Sequence, residues 1–148
     1  MGIADQIFDD LKQAMRDRNA ARVTALRFVR SEIQKTEKER QRPLEDPEVV
    51  DNLARQSRRL KESIFAFTKV GRDDLAAKEA AELELVRSYM PRQLGADAIA
   101  ELAAEIIAQV GAETQTDVGK VMGPLMERLR GQADGALCSQ VVRELLDS

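Results

Sequence analysis

Apolar residues recur every three or four positions along most of this 148-residue chain, which is the period of a helix with one buried face. No segment alternates apolar and polar residues strictly, as a half-buried strand would. Prolines and glycines interrupt the helical pattern, so that it divides into about seven helices. The pattern predicts an all-α, multihelical fold, with helices near residues 3–17, 20–41, 46–70, 97–110 and 114–130. A fourth helix opens at Asp73 or Asp74 and ends before Pro91, and Asp134 can cap a last helix whose inner stripe reaches Leu145.

The third predicted helix has the sharpest start signal, in the sequence EDPEVV. Asp46 is suited to cap the helix, Pro47 fits its first turn, and Glu48 complements the positive end of the helix dipole. The spacing also gives this helix one apolar face, which is expected to be buried. That face contains Val49, Leu53, Leu60, Ile64 and Phe67.

The opposite face of the third helix carries Arg55, Arg58 and Arg59, the clearest basic surface in the chain. The charge distribution agrees with this assignment, because residues 1–72 contain 16 Lys and Arg against 12 Asp and Glu, whereas residues 73–148 contain 7 against 14. The amino-terminal half is therefore the better candidate for contact with a polyanion. Aromatic residues make up only 3% of the chain and Trp is absent, so we expect little stacking on nucleic-acid bases.

A domain boundary is predicted in the sequence MPRQLGAD, where proline and glycine interrupt the helical pattern close to the change in charge. Residues 1–92 would form an amino-terminal helical bundle with long charged helices. Residues 93–148 would form a carboxy-terminal unit of three helices.

Half of the chain's eight glycines lie in residues 119–142, which otherwise have helical spacing. Gly131 and Gly135 fall beside predicted helix ends, where glycine is common. Gly119 and Gly123 lie four positions apart in one helix, where each costs about 0.5–1 kcal/mol relative to alanine. They leave a strip without side chains, which either a neighbouring helix of the chain or an external ligand can approach closely.

Lys120 lies between these two glycines, near the start of the sixth predicted helix. The N–H groups of a first turn favour anions, so Lys120 and the bare strip together are a candidate phosphate site. A nucleotide loop is excluded, because seven residues rather than four separate the glycines of GAETQTDVGKV. Val121 also occupies the position where Ser or Thr would bind magnesium. We expect no nucleotide cofactor.

The composition excludes most enzyme mechanisms and metal sites. Histidine is absent and Cys138 is the only cysteine, so the usual general base, the commonest metal ligand and a cysteine-rich zinc site are all missing. We therefore expect no catalytic residues, no metal and no cofactor. No apolar run is long enough to span a bilayer, and the first residues, MGIADQIFDD, do not resemble a secretory signal. These features predict a cytoplasmic protein that does not act at a membrane.

Two long segments resemble the GatB/YqeY family, and the stand-alone YqeY-like proteins in particular. They are RRLKESIFAFTKVGRDDLAAKEAAELELVRSYMPRQL and DVGKVMGPLMERLRGQADGALCSQVVRELL. The second segment is also similar to the tail of the B subunit of the tRNA-dependent amidotransferase, which has a comparable Gly-x-Val-Met stretch followed by Gly-x-Ala. In this chain those positions are Gly119, Val121, Met122, Gly131 and Ala133.

The resemblance implies two dissimilar helical bundles and a role in handling tRNA during translation. In the amidotransferase, amide transfer belongs to other parts of the assembly. The name carbon–nitrogen ligase (glutamine as amide donor) would therefore come to this chain from the larger enzyme and would not imply that activity. The amidotransferase tail is lysine-rich around Gly-x-Ala, whereas this chain has Gln132 there, with only Arg128 and Arg130 close by. This difference weakens the electrostatic attraction expected for RNA.

The sequence thus predicts a non-catalytic accessory module that binds tRNA or a tRNA-dependent enzyme complex. The alternative is a helical protein–protein interaction module, in which the glycines at 119 and 123 receive a partner helix. An independent amidotransferase is the least expected function. The candidate RNA- or anion-binding residues are Gly119, Lys120, Gly123, Arg128, Arg130, Arg55, Arg58 and Arg59.

Overall fold

A computed structural model describes residues 2–147 and confirms the all-α fold, with no strand in that range. The helices follow the apolar spacing because each one buries a single stripe of its surface. A short 3₁₀ turn, Gln115–Asp117, precedes the sixth helix. The helices are α1 (Ile3–Arg16), α2 (Ala20–Arg40), α3 (Asp46–Lys69), α4 (Asp73–Ser88), α5 (Ala96–Val110), α6 (Val118–Arg128) and α7 (Gly135–Asp147).

The contacts divide the chain between Met90 and Pro91 into two compact units. The first unit contains α1 to α4 and the second contains α5 to α7. The boundary expected from the sequence, after residue 92, differs from this division by two positions. Each unit has its own hydrophobic core.

The core of the first unit joins all four of its helices. α3 and α4 pack along one another and are connected by a tight turn at Gly71, whose φ of +75° favours glycine. The apolar face of α3 is buried in this core, which leaves the opposite face exposed. The buried residues include Ile7, Leu11, Leu26, Val29, Ile33, Val49, Leu53, Leu60, Leu83 and Val86.

Two buried polar side chains fasten α3 to α2. The amide nitrogen of Asn52 donates to the carbonyl oxygen of Glu32 at 3.2 Å and to the hydroxyl of Thr36 at 3.0 Å. The amide nitrogen of Gln56 donates to the carbonyl oxygen of Val29 at 3.3 Å and to Oδ1 of Asn52 at 2.7 Å. Because buried amides are costly unless hydrogen-bonded, these contacts fix the register of the two helices.

The start of α3 differs by one residue from the sequence prediction. Glu45 rather than Asp46 is the N-cap, and Glu48 accepts the backbone N–H of Glu45 at 3.1 Å in a capping box. Oδ1 of Asp46 instead accepts the backbone N–H of Ile3 at 2.9 Å. Asp46 therefore stabilises the first turn of α1, a helix that is distant in the sequence but close in the fold.

Glu48 is expected to make the first unit sensitive to acid. Its carboxylate accepts hydrogen bonds from Arg42, at 2.7 Å to each oxygen, and from Arg40 and the N–H of Glu45. These bonds, that of Arg42 above all, lower the pKa of Glu48 from 4.5 to about 2. A lowered pKa stabilises the fold at pH values above 4.5, and this contribution is lost as the pH falls towards 2.

Glu48→Gln should therefore lower the thermal midpoint at pH 7, and its difference from the wild-type protein should shrink between pH 4.5 and about pH 2. Thermal melts followed by circular dichroism across this range measure the effect. A difference between the two proteins that is as large at pH 2 as at pH 7 would contradict the assigned role.

Candidate functional site

The exposed face of α3 carries five cations, which we call the α3 basic surface: Arg55, Arg58, Arg59, Lys61 and Lys69. All five are exposed because Leu53, Leu60 and their neighbours turn the opposite face of the helix into the core. Between residues 52 and 69 the only acid is Glu62. This segment therefore carries an excess of positive charge, although Asp46, Glu48 and Asp51 lie in the preceding turns of the same helix.

Most of the α3 basic surface is also free of ion pairs with other helices. Arg59 is the exception, since its Nη2 lies 3.3 Å from Oε2 of Glu32 on α2. Within residues 2–147, no carboxylate lies within 4 Å of the charged groups of the other four cations. Those four side chains are available to an external anion.

A polar cleft of about 480 Å³ lies between α2 and α3, beside the α3 basic surface. Internal pairs already occupy several of its charges, because Nζ of Lys35 lies 3.6 Å from Oε1 of Glu32, and Arg40 is bound to Glu48. The cleft extends the polar surface across to α2 but adds little unpaired charge. Its lining residues are Glu32, Lys35, Thr36, Glu39, Arg40, Asn52, Arg55 and Arg59.

The strip formed by Gly119 and Gly123 faces outward from α6. Val121 and Leu125 are buried on the other side of the helix, against the core of the second unit. Apart from the neighbouring backbone of α6 itself, a methyl group added at either glycine would meet no atom of residues 2–147 within 4 Å. The interpretation that a neighbouring helix of the same chain packs on these glycines is therefore wrong.

Lys120 lies beside this strip but already has an anionic partner. Its Nζ is 3.3 Å from Oδ1 of Asp117, the residue that precedes α6. The other oxygen of Asp117 accepts the backbone N–H groups of Glu113 at 2.9 Å and Thr114 at 3.2 Å, in a capping box. These N–H groups first, and Lys120 second, lower the pKa of Asp117. An incoming phosphate would meet this carboxylate, so the start of α6 is a weak anion site.

The other two predicted cations of the second unit do not form a compact cluster with Lys120. Arg128 is eight residues further along α6, which is about 12 Å along the helix axis. Its Nη1 lies 3.8 Å from Oε2 of Glu105, and both side chains are more than half exposed. Arg130 is also exposed, in the turn that ends at Gly131 with a φ of +76°. The α3 basic surface is thus the stronger cationic site of the two.

Comparison with known proteins gives the family. The family model described as Yqey-like protein matches residues 4–146, nearly the whole chain. The chain belongs to the YqeY-like family. This YqeY-like chain is also similar to two fungal proteins, each named "Altered inheritance of mitochondria protein 41, mitochondrial".

The relative from Pyrenophora tritici-repentis is 28% identical over 140 residues, covering 93% of this chain and 77% of its own. The relative from Eremothecium gossypii is 36% identical over 96 residues, covering 64% of this chain, which spans about half (52%) of that protein. Both names refer to mitochondria, so the cytoplasmic location that the sequence predicts for this YqeY-like protein stays a prediction.

Across residues 2–147 of this YqeY-like protein, no helix is both long and apolar enough to cross a membrane. The same residues contain no group of three or more His, Cys, Asp or Glu placed to bind a metal ion. Cys138 is buried, and burial, followed by the nearby charge of Asp134, raises the pKa of its thiol. A thiol in this state is a poor nucleophile.

Three residues of the candidate site were missed at the level of sequence. Lys61 and Lys69 extend the row of arginines along the same face of α3, and their spacing of three and eleven residues from Arg58 is the signal that reveals them. Phe65 lies between them and is exposed. The apolar spacing of α3 already indicates that Phe65 is exposed, because Phe65 lies off the apolar stripe that includes Ile64.

Gly119→Ala is expected to raise the free energy of unfolding of this YqeY-like protein by about 0.5 kcal/mol. The added methyl group meets open space, and alanine loses less backbone entropy than glycine in a helix. Gly123→Ala is the matched control and should gain less, because Pro124 restricts the residue before it. Urea denaturation of both variants measures the difference. A loss of stability of 1 kcal/mol or more in Gly119→Ala would show that the strip is a packing surface.

Proposed function

We propose that this protein is a non-catalytic module that binds tRNA, or a tRNA–enzyme assembly, through the phosphate backbone of the RNA. The observation that carries the proposal is the α3 basic surface, in which four exposed cations have no carboxylate within 4 Å among residues 2–147. The main binding site is thus placed on α3 instead of at the start of α6, where Lys120 is already paired with Asp117.

The length of the α3 basic surface favours a strand of phosphates over a single anion. Arg55 and Lys69 are fourteen residues apart, which is about 21 Å along the helix. Small anions bind in convergent pockets, whereas a row of cations on a convex helix meets successive phosphates of an extended polyanion. Such contacts position an RNA without reading its sequence.

The proposal is tested by titrating fluorescently labelled tRNA with the purified protein at 50 to 200 mM salt. Four phosphate contacts predict that the logarithm of the association constant falls against the logarithm of the salt concentration with a slope of about −3. Over this range the affinity should fall by roughly sixtyfold. The absence of binding at 50 mM salt, or binding that is independent of salt, would overturn the proposal. Hydrolysis of glutamine by the purified protein would overturn its non-catalytic part.

One observation favours a second candidate function, a protein–protein interaction module. The strip at Gly119 and Gly123 is open, and small residues let another helix approach a backbone closely. In this case Gly119→Leu should prevent capture of a partner protein from a nuclease-treated lysate of the source cells, while the variant still melts cooperatively. A partner captured equally by the wild-type protein and by the Gly119→Leu variant would show that the strip has no part in binding that partner.

A further inference from the structure

Phe65 is an aromatic residue on the surface of α3 that takes no part in the core. Its exposed fraction is 71%, the largest among the exposed large hydrophobic residues of the described chain. The adjacent Ile64 is partly buried against the core of the first unit. Because Phe65 is mostly exposed, it forgoes most of the about 1.5–3 kcal/mol that full burial of a phenylalanine contributes to a fold.

Two of the neighbours of Phe65 on its helix face are cations. Lys61 lies four residues before it and Lys69 four residues after it, which places each one about 6 Å away along the helix axis. Arg58 lies on the same face, one further turn towards the start of the helix. Glu62 is the single acid one turn from Phe65 on α3. An aromatic ring therefore occupies the centre of the carboxy-terminal half of the α3 basic surface.

A ring between two cations fits an unpaired nucleotide. A base can stack on the phenyl face while the phosphates on either side of it meet the lysines. In a duplex the faces of the bases are covered by their neighbours, so only an unpaired segment offers one. From this arrangement we propose that Phe65, with Lys61 and Lys69, is a stacking site for an unpaired base of single-stranded RNA. The inference rests on the proposed RNA binding and adds unpaired nucleotides to it.

An anionic membrane surface would also attract lysines and a phenylalanine, but it fits the helix less well. A helix that lies in a membrane interface inserts a broad apolar face. The apolar face of α3 is buried in the core of the first unit, and Phe65 stands among cations on the opposite face. The cations also continue to Arg55, about 15 Å along the helix from Phe65. This row extends along the helix as a strand of nucleotides does.

Stacking can be observed directly with Phe65→Trp, because the chain contains no other tryptophan. Binding of an oligoadenylate of ten nucleotides should quench the fluorescence of this tryptophan, whereas an RNA duplex of equal charge should bind with little quenching. Phe28→Trp is the matched control, since Phe28 is also an exposed helical phenylalanine, at 49%, and Thr24, Ala25, Ser31 and Glu32 surround it on α2. Its fluorescence should be unchanged by oligoadenylate.

Affinity measurements separate stacking from general hydrophobic contact. Phe65→Ala should lower the affinity for oligoadenylate by about fivefold or more, and Phe65→Leu should lower it similarly, whereas Phe65→Tyr should keep it. Circular dichroism should show the same fold for all three variants, because the side chain is exposed.

Each other outcome has a defined meaning. Unchanged affinity in Phe65→Ala, or equal quenching by single strand and duplex, would overturn this inference but not the proposed function, provided that tRNA still binds with the expected salt dependence. Absence of all RNA binding would overturn both. A response of Trp at position 65 to vesicles of phosphatidylserine and phosphatidylcholine, without a response to oligoadenylate, would replace RNA by a membrane as the partner.

Discussion

Replacing Arg55, Arg58 and Lys61 together by glutamine should lower the affinity for tRNA by about a hundredfold at 50 mM salt. The slope of the salt dependence should change from about −3 to about −1, because each cation removed eliminates about one phosphate contact. The three side chains are exposed and have no carboxylate within 4 Å in the described range, so the fold should not change. Fluorescence titrations at several salt concentrations measure both quantities.

The matched control removes the same charge from other parts of the first unit. Arg16, Lys38 and Lys78 are exposed residues of α1, α2 and α4, and their replacement by glutamine also lowers the net charge by three. This variant should keep a slope near −3 and bind tRNA within about threefold of the wild-type protein. Equal losses in the two variants would show that only the overall charge matters and that the α3 basic surface is not the site.

Leu53→Ala is expected to have the largest effect on stability, a loss of about 2–5 kcal/mol in the free energy of unfolding. Leu53 is completely buried and lies in the core on the face of α3 opposite to the cations. Its truncation leaves a cavity in the packing that holds the α3 basic surface in position. Urea denaturation measures the loss, and at temperatures where the variant unfolds, tRNA binding should be lost with the helix.

Leu85→Ala is the control for this substitution. Leu85 is only partly buried and borders an open cleft between α2 and α4, so the loss should be about 1 kcal/mol. A Leu53→Ala variant as stable as Leu85→Ala would contradict the central position of Leu53 in the core.

The helices could be predicted from the sequence because their apolar spacing and their end signals are local. The error at the start of α3 has a non-local cause. Aspartate is a common N-cap residue, but the carboxylate of Asp46 accepts the N–H of Ile3, 43 residues away, and Glu45 caps the helix instead. No pattern within EDPEVV contains that contact.

The candidate site was predictable in part for the same reason. The outward direction of Arg55 and Arg58 follows from the position of Leu53 and Leu60 on the same helix. The neutralisation of Lys120 by Asp117 is also local, at a spacing of three residues. In contrast, the ion pair of Arg59 with Glu32 joins two helices, and it shows which arginine of the three is compensated. That contact depends on how α2 packs on α3, which local spacing does not specify.

The most direct test of the central claim is a map of the amide resonances that change when tRNA binds to the 16.5 kDa protein. With ¹⁵N-labelled protein and increasing amounts of tRNA, the changes should concentrate in α3, between Arg55 and Lys69, and α6 should change little. Changes confined to residues 117–130, or no changes at an RNA concentration at which the titration indicates saturation, would contradict binding through the α3 basic surface.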